Sequence, residues 1–276
     1  MTNVSKSSSK KALALSIVIP VCNEENHLKA CLQSIASQTV QPTEVIVVDN
    51  NSQDCSVQIA AQFPFVRVIS EAKQGVFYAR NTGFDAVKTP LIGRIDADTI
   101  LPPDWVQRVQ GFYAPTANRQ MALTGGCSFY NIRCPRVNRW LVSQFVFRMN
   151  RFLMGYYVLW GSNMALPRPL WRQVRSQVCD KQDIHEDLDL AMHLHKLGYG
   201  INYQAELLVA VRMRRVLSDR RQLWPYLRMW PRTLRHHGIL SWPLSLLGSL
   251  FLYVMQVVPR AAERLARMSG RPPYGG

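Results

Sequence analysis

No two of the six cysteines, Cys22, Cys31, Cys55, Cys127, Cys134 and Cys179, form a C-x-x-C pair, and no cysteine–histidine run has zinc-module spacing. That pattern fits reduced thiols in a cytosolic compartment. Glycine-rich phosphate fingerprints are missing as well. There is no G-x-x-x-x-G-K-[ST] and no G-x-G-x-x-G, so P-loop and standard dinucleotide readings lose support. Internal repeats are absent, and low complexity is confined to the Ser/Lys-rich start and the RPPYGG tail. The opening MTNVSKSSSKKALALS has no long apolar stretch and does not read as a secretory signal. Acid is scarce, 18 Asp and Glu against 33 Lys and Arg. With 47% hydrophobic residues over 276 positions there is ample material for a core, so disorder is excluded.

The net charge of +15 is unevenly spread. Residues 1–130 carry 11 basic and 10 acidic side chains, whereas residues 131–276 carry 22 and 8. Arginine supplies nearly all of the second excess, with only Lys181 and Lys196 among the lysines there. A one-sided basic half implies an anionic partner: a nucleic acid, a phosphorylated substrate or an anionic bilayer face.

The first hundred residues alternate strand and helix. Short β-branched runs at Leu15–Val21, Glu44–Asp49, Val66–Ser70 and Leu91–Asp96 read as strands. Helices are expected from about Glu24, with Asn23 as N-cap, over Cys55–Gln62 and over Gly75–Lys88. This βαβαβαβ rhythm predicts an α/β fold with a mostly parallel sheet flanked by helices, and ligands outside the carboxyl ends of its strands. The rhythm loosens from Pro102 to Asp183. Val158–Ala165 and Ile201–Met213 then read as strands around a helix at His185–Leu197.

Chemistry gathers at the expected strand ends. Asp96 and Asp98 are two apart after the fourth strand, so both carboxylates can face one site. Two hard oxygen ligands with no nearby thiolate suit Mg²⁺ or Mn²⁺, which in turn suits a diphosphate. Asp49, Pro20, Asn23 and Glu24 follow neighbouring strands, where a nucleoside has room. Asp49 has an alternative role, capping a turn with Asn50, Asn51 and Ser52. Glu186 and Asp187 open a helix, where acids are favoured by the dipole whatever their function, yet either could take a proton from a hydroxyl in the cleft. His185 is a weaker candidate for a further metal ligand.

The segments SIVIPVCNEENHLKACLQSIASQTVQPTEVIVVDNNSQDCS, GVFYARNTGFDAV, IDAD and HEDLDLAMHLHKLGYGI together resemble the family 2 glycosyltransferases of GT-A fold, over roughly residues 15–205. The resemblance implies that Pro20, Val21, Asn23, Glu24 and Asp49 line a nucleoside site, with Gln74, Gly75, Arg80 and Asn81 beside the nucleotide and Lys73 a weaker neighbour. It implies that Asp96 faces ribose or metal, that Asp98 faces the metal and diphosphate, and that Asp187 is the catalytic base of an inverting transfer. Gly161, Ser162 and Asn163, with Glu186, fall on the acceptor or sugar side. The donor implied is a nucleotide-diphospho-sugar, a UDP-sugar first, with GDP- and dTDP-sugars open. The Q-x-x-R-W motif of processive synthases is absent, which favours single-sugar transfer.

Ile239–Val258 holds twenty residues without a formal charge, ~30 Å as a helix, interrupted by Pro243 and Gly248 and flanked on both sides by arginine. It reads as a span, an interfacial hairpin or a buried helix. Arg212–Arg235, interleaved with Trp224, Tyr226, Leu227, Met229 and Trp230, suggests an amphipathic interfacial segment. The expected organisation is a tail over 1–14, a GT-A domain over 15–212 and a basic, membrane-associated C-terminal helical region over 213–276. The expected activity is cell-envelope glycan synthesis on a lipid-linked glycan or glycolipid, at an anionic membrane surface on the cytoplasmic face. Two alternatives stand beside it: a soluble transferase acting on a polysaccharide or small molecule, and a basic nucleic-acid-binding protein. The last has no recognisable nucleic-acid module and leaves the acid constellation unused, so no nucleic-acid partner is expected.

Overall fold

The computed structural model describes residues 12–130, 139–140, 143–212, 220–250 and 253. In chain order its elements are β1 (Leu15–Val21), α1 (Leu28–Ala36), β2 (Glu44–Asp49), α2 (Ser56–Ala61), β3 (Val66–Ser70), α3 (Val76–Ala86), β4 (Leu91–Arg94), α4 (Trp105–Tyr113), β5 (Met121–Phe129), α5 (Met149–Met154), β6 (Met164–Pro167), α6 (Arg168–Val174), α7 (Glu186–Lys196), β7 (Gly200–Val211) and α8 (Arg220–His236).

Successive side chains of a strand point to opposite faces, and here both faces are apolar. In β1, Leu15, Ile17, Ile19 and Val21 enter one core while Val18 enters another. In β2, Val45 and Val47 join the first, Ile46 and Val48 the second. The first core is closed by Leu28, Leu32 and Ile35 of α1 and by Trp105, Val106 and Val109 of α4. The second is closed by Ala79 and Phe84 of α3, Trp171 of α6 and Leu190 and Leu194 of α7. Burying such side chains contributes roughly 1.5–3 kcal/mol each. Gly83 lets α3 lie directly on the sheet, because a Cβ there would come within 2.3 Å of Val18 Cγ1 and 2.8 Å of Val48 Cγ2.

The seven strands run in the order β3-β2-β1-β4-β6-β5-β7. β3, β2, β1 and β4 are mutually parallel, β6 is antiparallel to β4 and β5, and β7 is parallel to β5. From β1 the chain moves outward to β2 and β3, then returns to the other side of β1 with β4. That reversal opens a crevice at the carboxyl ends of β1 and β4. Because β6 runs the other way, with Met164 opposite Arg94, the segment before β6 reaches the same end of the sheet.

Several sequence expectations need correcting. Asn23 is not a helix cap: it has a left-handed φ of 56°, its Oδ1 accepts from the Gln53 amide at 2.7 Å, and α1 begins only at Leu28. The fourth strand stops at Arg94, so Asp96 lies in the loop beyond it. Of the strand expected over Val158–Ala165, only the end is extended, within β6; residues 161–163 turn, with the Asn163 amide donating to Trp160 O at 2.9 Å. α4, β5 and α6 occupy the stretch where no rhythm was legible.

The basic C-terminal helix α8 packs on the domain. Its Leu234 shares a core with Leu188 and Met192 of α7 and with Phe147 and Val158. Arg228, Arg232 and Arg235 lie on its exposed side. Helical backbone resumes over residues 242–250. Of the apolar stretch Ile239–Val258, residues 251–252 and 254–258 lie outside the described residues. Among the described residues no helix is long and apolar enough to cross a membrane.

Candidate active site

A cleft of about 600 Å³ opens at the carboxyl ends of β1 and β4. It collects eleven of the candidate site residues read from the sequence: Pro20, Val21, Glu24, Gln74, Asp96, Asp98, Gly161, Ser162, Glu186, Asp187 and the weaker candidate His185. Asn50, Arg94, Phe129, Trp160, Val211, Arg212 and Tyr226 also line it. One side therefore comes from the ends of β1 and β4 and the loop before α3. The other comes from the segment before β6, the first turn of α7, the ends of β5 and β7, and α8.

Arg94, the last residue of β4, holds the acids together and was not legible as a site residue. Its Nη1 donates to Asp187 Oδ1 at 2.5 Å, and its Nη2 reaches Asp96 Oδ1 at 3.0 Å and Glu186 Oε1 at 3.3 Å. The side chain is 2% exposed. A buried cation is retained only when paired and hydrogen-bonded, and a forked guanidinium meets several carboxylates at once. The signal was present in the sequence, a lone arginine inside the apolar strand run LIGRID. The opposite oxygen of Asp187, Oδ2, accepts from the Gly161 amide at 2.8 Å. Glycine is required there, since a Cβ on residue 161 would lie 1.4 Å from Arg94 Nη1 and 2.5 Å from Asp187 Oδ2.

The two adjacent acids of α7 are driven apart. Burial raises the Asp187 carboxyl above its ordinary value, with Arg94 opposing and Glu186 adding to the rise. Burial also works on Glu186, but His185, Arg94 and Arg80 outweigh it and bring its carboxyl down to about 2. For Arg94, burial disfavours the charge and the three carboxylates more than restore it, so its pKa lies above the ordinary value. At neutral pH Glu186 is firmly ionised, while Asp187 is the more basic of the two.

Seven further expected site residues, Lys73 among them, do not line the cleft. Asp49 Oδ1 accepts from the Ser52 amide at 3.2 Å, the turn-capping alternative. Asn23 sits in the adjoining turn. Gly75 donates its amide to Asn50 Oδ1 at 2.8 Å, and Asn50 Nδ2 in turn donates to Glu71 O and Lys73 O, fastening that loop beside the cleft. Arg80 is fully buried behind the cleft, with Nη1 donating to Glu186 O at 2.7 Å and Nε and Nη2 donating to Asn81 Oδ1. These two residues support the start of α7 from within. Asn163 is fully buried and spends its amide inside the fold: Oδ1 accepts from Trp105 Nε1 at 2.8 Å, and Nδ2 donates to Gly126 O and Leu207 O. Lys73 points elsewhere, its Nζ lying 5.4 Å from the centre of the Tyr78 ring.

The cleft residues fit a divalent cation. Glu24, Asp96, Asp98, Glu186 and Asp187 set five carboxylates against the two guanidinium groups of Arg94 and Arg212, an excess of negative charge. Oxygen donors of this kind suit Mg²⁺ or Mn²⁺. His185 shares the cleft, and its Nδ1 is buried without a hydrogen-bond partner among the described residues.

Residues 16–166, more than half of the chain, match the family described as Glycosyl transferase family 2. The chain belongs to glycosyl transferase family 2. Among individual relatives, it is 36% identical over 101 residues to Glycosyltransferase AglE of Haloferax volcanii, covering 34% of this chain and 33% of that protein. It is 32% identical over 100 residues to the putative glycosyltransferase EpsH of Bacillus subtilis, covering 35% and 29%. The match thus spans about a third of the length of these relatives. In fold, the family 2 chain is similar to the mannosyltransferase PcManGT from Pyrobaculum calidifontis in complex with GDP-Man and Mn²⁺, with a TM-score of 0.61 at 17% identity over 94% of this chain and 80% of that one. It is also similar to S. aureus TarS 1–349 in complex with UDP-GlcNAc, with a TM-score of 0.58 at 15% identity over 90% and 82%. The family segment ends within β6, so His185, Glu186, Asp187, Val211, Arg212 and Tyr226 all lie beyond it.

Proposed function

We propose that this family 2 chain is an inverting glycosyltransferase that moves one sugar from a nucleotide-diphospho-sugar, a UDP-sugar by our reading, to a hydroxyl of a lipid-linked glycan or glycolipid. The observation that carries the reading is the convergence of Asp98 and Asp187 on one cleft, with Arg94 linking Asp187 to Asp96.

Pro20, Val21, Glu24 and Gln74, with Asn50, form the wall against which the nucleoside rests. Asp96 and Asp98 would hold Mg²⁺ or Mn²⁺, which when bound neutralises charge on the departing diphosphate as a Lewis acid. Asp187 removes the acceptor proton. Each of its oxygens accepts one hydrogen bond, from Arg94 or from the Gly161 amide, and each keeps a lone pair for that proton. Burial tunes it towards this role by raising its basicity. Attack from the face opposite the leaving diphosphate inverts the anomeric centre and needs no covalent enzyme intermediate. Glu186, Gly161 and Ser162 fall on the acceptor side. GDP- and dTDP-sugars are tested beside UDP-sugars, since the GDP-Man and UDP-GlcNAc of the two neighbours are held by those proteins.

The membrane-linked acceptor is supported by surface chemistry. Arg228, Arg232 and Arg235 recur on one exposed side of α8, and Leu240, Leu244, Leu247 and Leu250 are exposed just beyond. Arginine beside exposed apolar side chains suits peripheral attachment at the phosphate layer of a cytoplasmic leaflet.

The test is sugar transfer by purified protein, with UDP-, GDP- and dTDP-sugars, Mg²⁺ or Mn²⁺, and lipid-linked or free glycan acceptors. Asp187→Asn and Asp98→Asn are each expected to lower turnover by ~10²–10⁴-fold with folding retained. The product is expected to have the opposite anomeric configuration to the donor. Full turnover in either variant, or retention of configuration, refutes the assignment.

A further inference from the structure

Asp189 is two residues after Asp187 on α7, about 200° round the helix and away from the cleft. There it meets three side chains that sequence spacing does not connect. Cys179 comes from the loop after α6, His193 from one turn further along α7, and His237 from just beyond α8. One donor atom from each of the four lies within 4.8 Å of all the others.

The cluster is centred on a buried carboxylate, with Cys179 at its partly exposed edge. The Asp189 side chain is 1% exposed and His237 3%. Asp189 Oδ2 accepts from the Cys179 amide at 2.9 Å, and Asp189 Oδ1 lies 2.8 Å from His237 Nε2 and 3.3 Å from His193 Nε2. Nδ1 of His193 is buried and has no hydrogen-bond partner among the described residues, and its Nε2 faces Asp189 only at 3.3 Å. A buried imidazole nitrogen left without a partner is costly unless the ring is held in place by something else in the cluster.

We propose that Cys179, Asp189, His193 and His237 bind one zinc ion, at a site separate from the catalytic cleft. One thiolate, two imidazoles and one carboxylate make a borderline-soft donor set that favours zinc over Mg²⁺ or Mn²⁺. Tetrahedral zinc with Zn–N of about 2.0–2.1 Å and Zn–S of about 2.3 Å places ligand atoms roughly 3.3–3.6 Å apart, so the donors close inward by about 1 Å at the widest pair. Four protein ligands leave no open position, which makes the site structural. Burial and the Asp189 carboxylate push the Cys179 thiol up to about 12, so the thiolate forms as the cation takes the place of its proton. Lys196 Nζ, 3.1 Å from His237 Nδ1, belongs to an exposed residue and swings away when Nδ1 carries the ring proton.

The consequence is mechanical. The ion clips α7, whose first turn carries Glu186 and Asp187, to the end of the basic helix α8. The two helices already touch through the His185 amide, which donates to Thr233 Oγ1 at 2.8 Å.

The experiment is metal analysis of untagged full-length protein purified without chelator, followed by cobalt substitution. About one zinc per chain is expected, with thiolate charge-transfer and visible d–d bands in the cobalt form and a higher melting temperature on adding Zn²⁺. Cys179→Ser and His193→Asn are each expected to weaken zinc binding by more than the roughly 10–100-fold of an outer-shell change. Asp98→Asn is expected to keep its zinc, which separates this site from the cleft. Folded wild-type protein with no zinc and no cobalt spectrum overturns the proposal, as does equal zinc in wild type and both variants. If a variant fails to fold, the cobalt spectrum of the wild type decides.

Discussion

Arg94 Nη1 and Asp187 Oδ1 lie 2.5 Å apart, although 93 positions separate the two residues in the chain. The contact fastens the last residue of β4 to the first turn of α7 and so sets the two walls of the cleft against each other. A lysine in place of Arg94 cannot fork to Asp187, Asp96 and Glu186 together. Arg94→Lys is expected to lower transfer by about 10²-fold or more, since misplacement by about 1 Å is enough for that loss. Arg94→Met leaves buried carboxylates unpaired and is expected to cost about 3–5 kcal/mol in a urea melt. Loss of the cation also raises the Asp187 carboxyl further, so the acid limb of the kcat/KM profile should move to higher pH. An unmoved acid limb together with a normal melt contradicts this account.

Stability should fall in acid. The Glu186 carboxyl is held at about 2, below its ordinary value of 4.5, so the stability it contributes is complete above about 4.5 and is lost as pH falls through about 2. Asp189 is lowered too and acts in the same direction: burial opposes its ionisation, but bonds from His193, His237 and Cys179 prevail. Asp187 has the opposite sign, because its raised carboxyl lowers stability at neutral pH and relieves that strain on protonation. Melting temperatures between pH 7 and pH 2 check the balance. Glu186→Gln should flatten the acid slope, and an identical slope in that variant means Glu186 contributes nothing to it.

Asn163 separates two roles. Its three hydrogen bonds bind Trp105 and both strands at the β5–β7 bulge, whereas the family resemblance puts it near the sugar. Asn163→Ala is expected to destabilise the fold by on the order of 3 kcal/mol with little change in KM for the donor. A normal melt with lost turnover would return Asn163 to the site.

Surface attachment is tested with vesicles. Changing Arg228, Arg232 and Arg235 to Gln should weaken co-flotation with anionic vesicles, since each basic side chain near such a surface is worth about 1 kcal/mol. Binding to neutral vesicles should change little. Wild-type protein that ignores both kinds of vesicle favours the soluble transferase.

The half of the fold written in β-branched runs was legible because β1 and β2 are covered on both faces and tolerate little but apolar residues. β5, with its Gly125-Gly126 pair opposite the irregularity in β7, and α4, whose buried residues alternate with polar ones along the chain, carry no such run. The acid pair after β4 and the acids opening α7 could be placed from strand and helix boundaries. Arg94 could not, because an arginine in a strand shows its meaning only when its partners, from residues 186 and 187, are brought alongside. The cysteine–histidine cluster escaped for the same reason, since its members meet only after α7 and α8 pack. Arg80 and Asn163 rested on resemblance and Asp49 on its strand end as well, and hydrogen bonding internal to the protein accounts for their side chains as they stand.

The reversal of β6 divides the cleft between two stretches of chain. Nearly everything on the β1–β4 side falls within residues 16–166, and the α7, β7 and α8 contributions come later. The matched segment therefore reaches across the channel as far as the turn before β6, while the first turn of α7 and the ends of β7 and α8 stand outside it. Val211, Arg212 and Tyr226 close the channel from that later stretch, so the far wall is finished by residues that the shared segment does not contain.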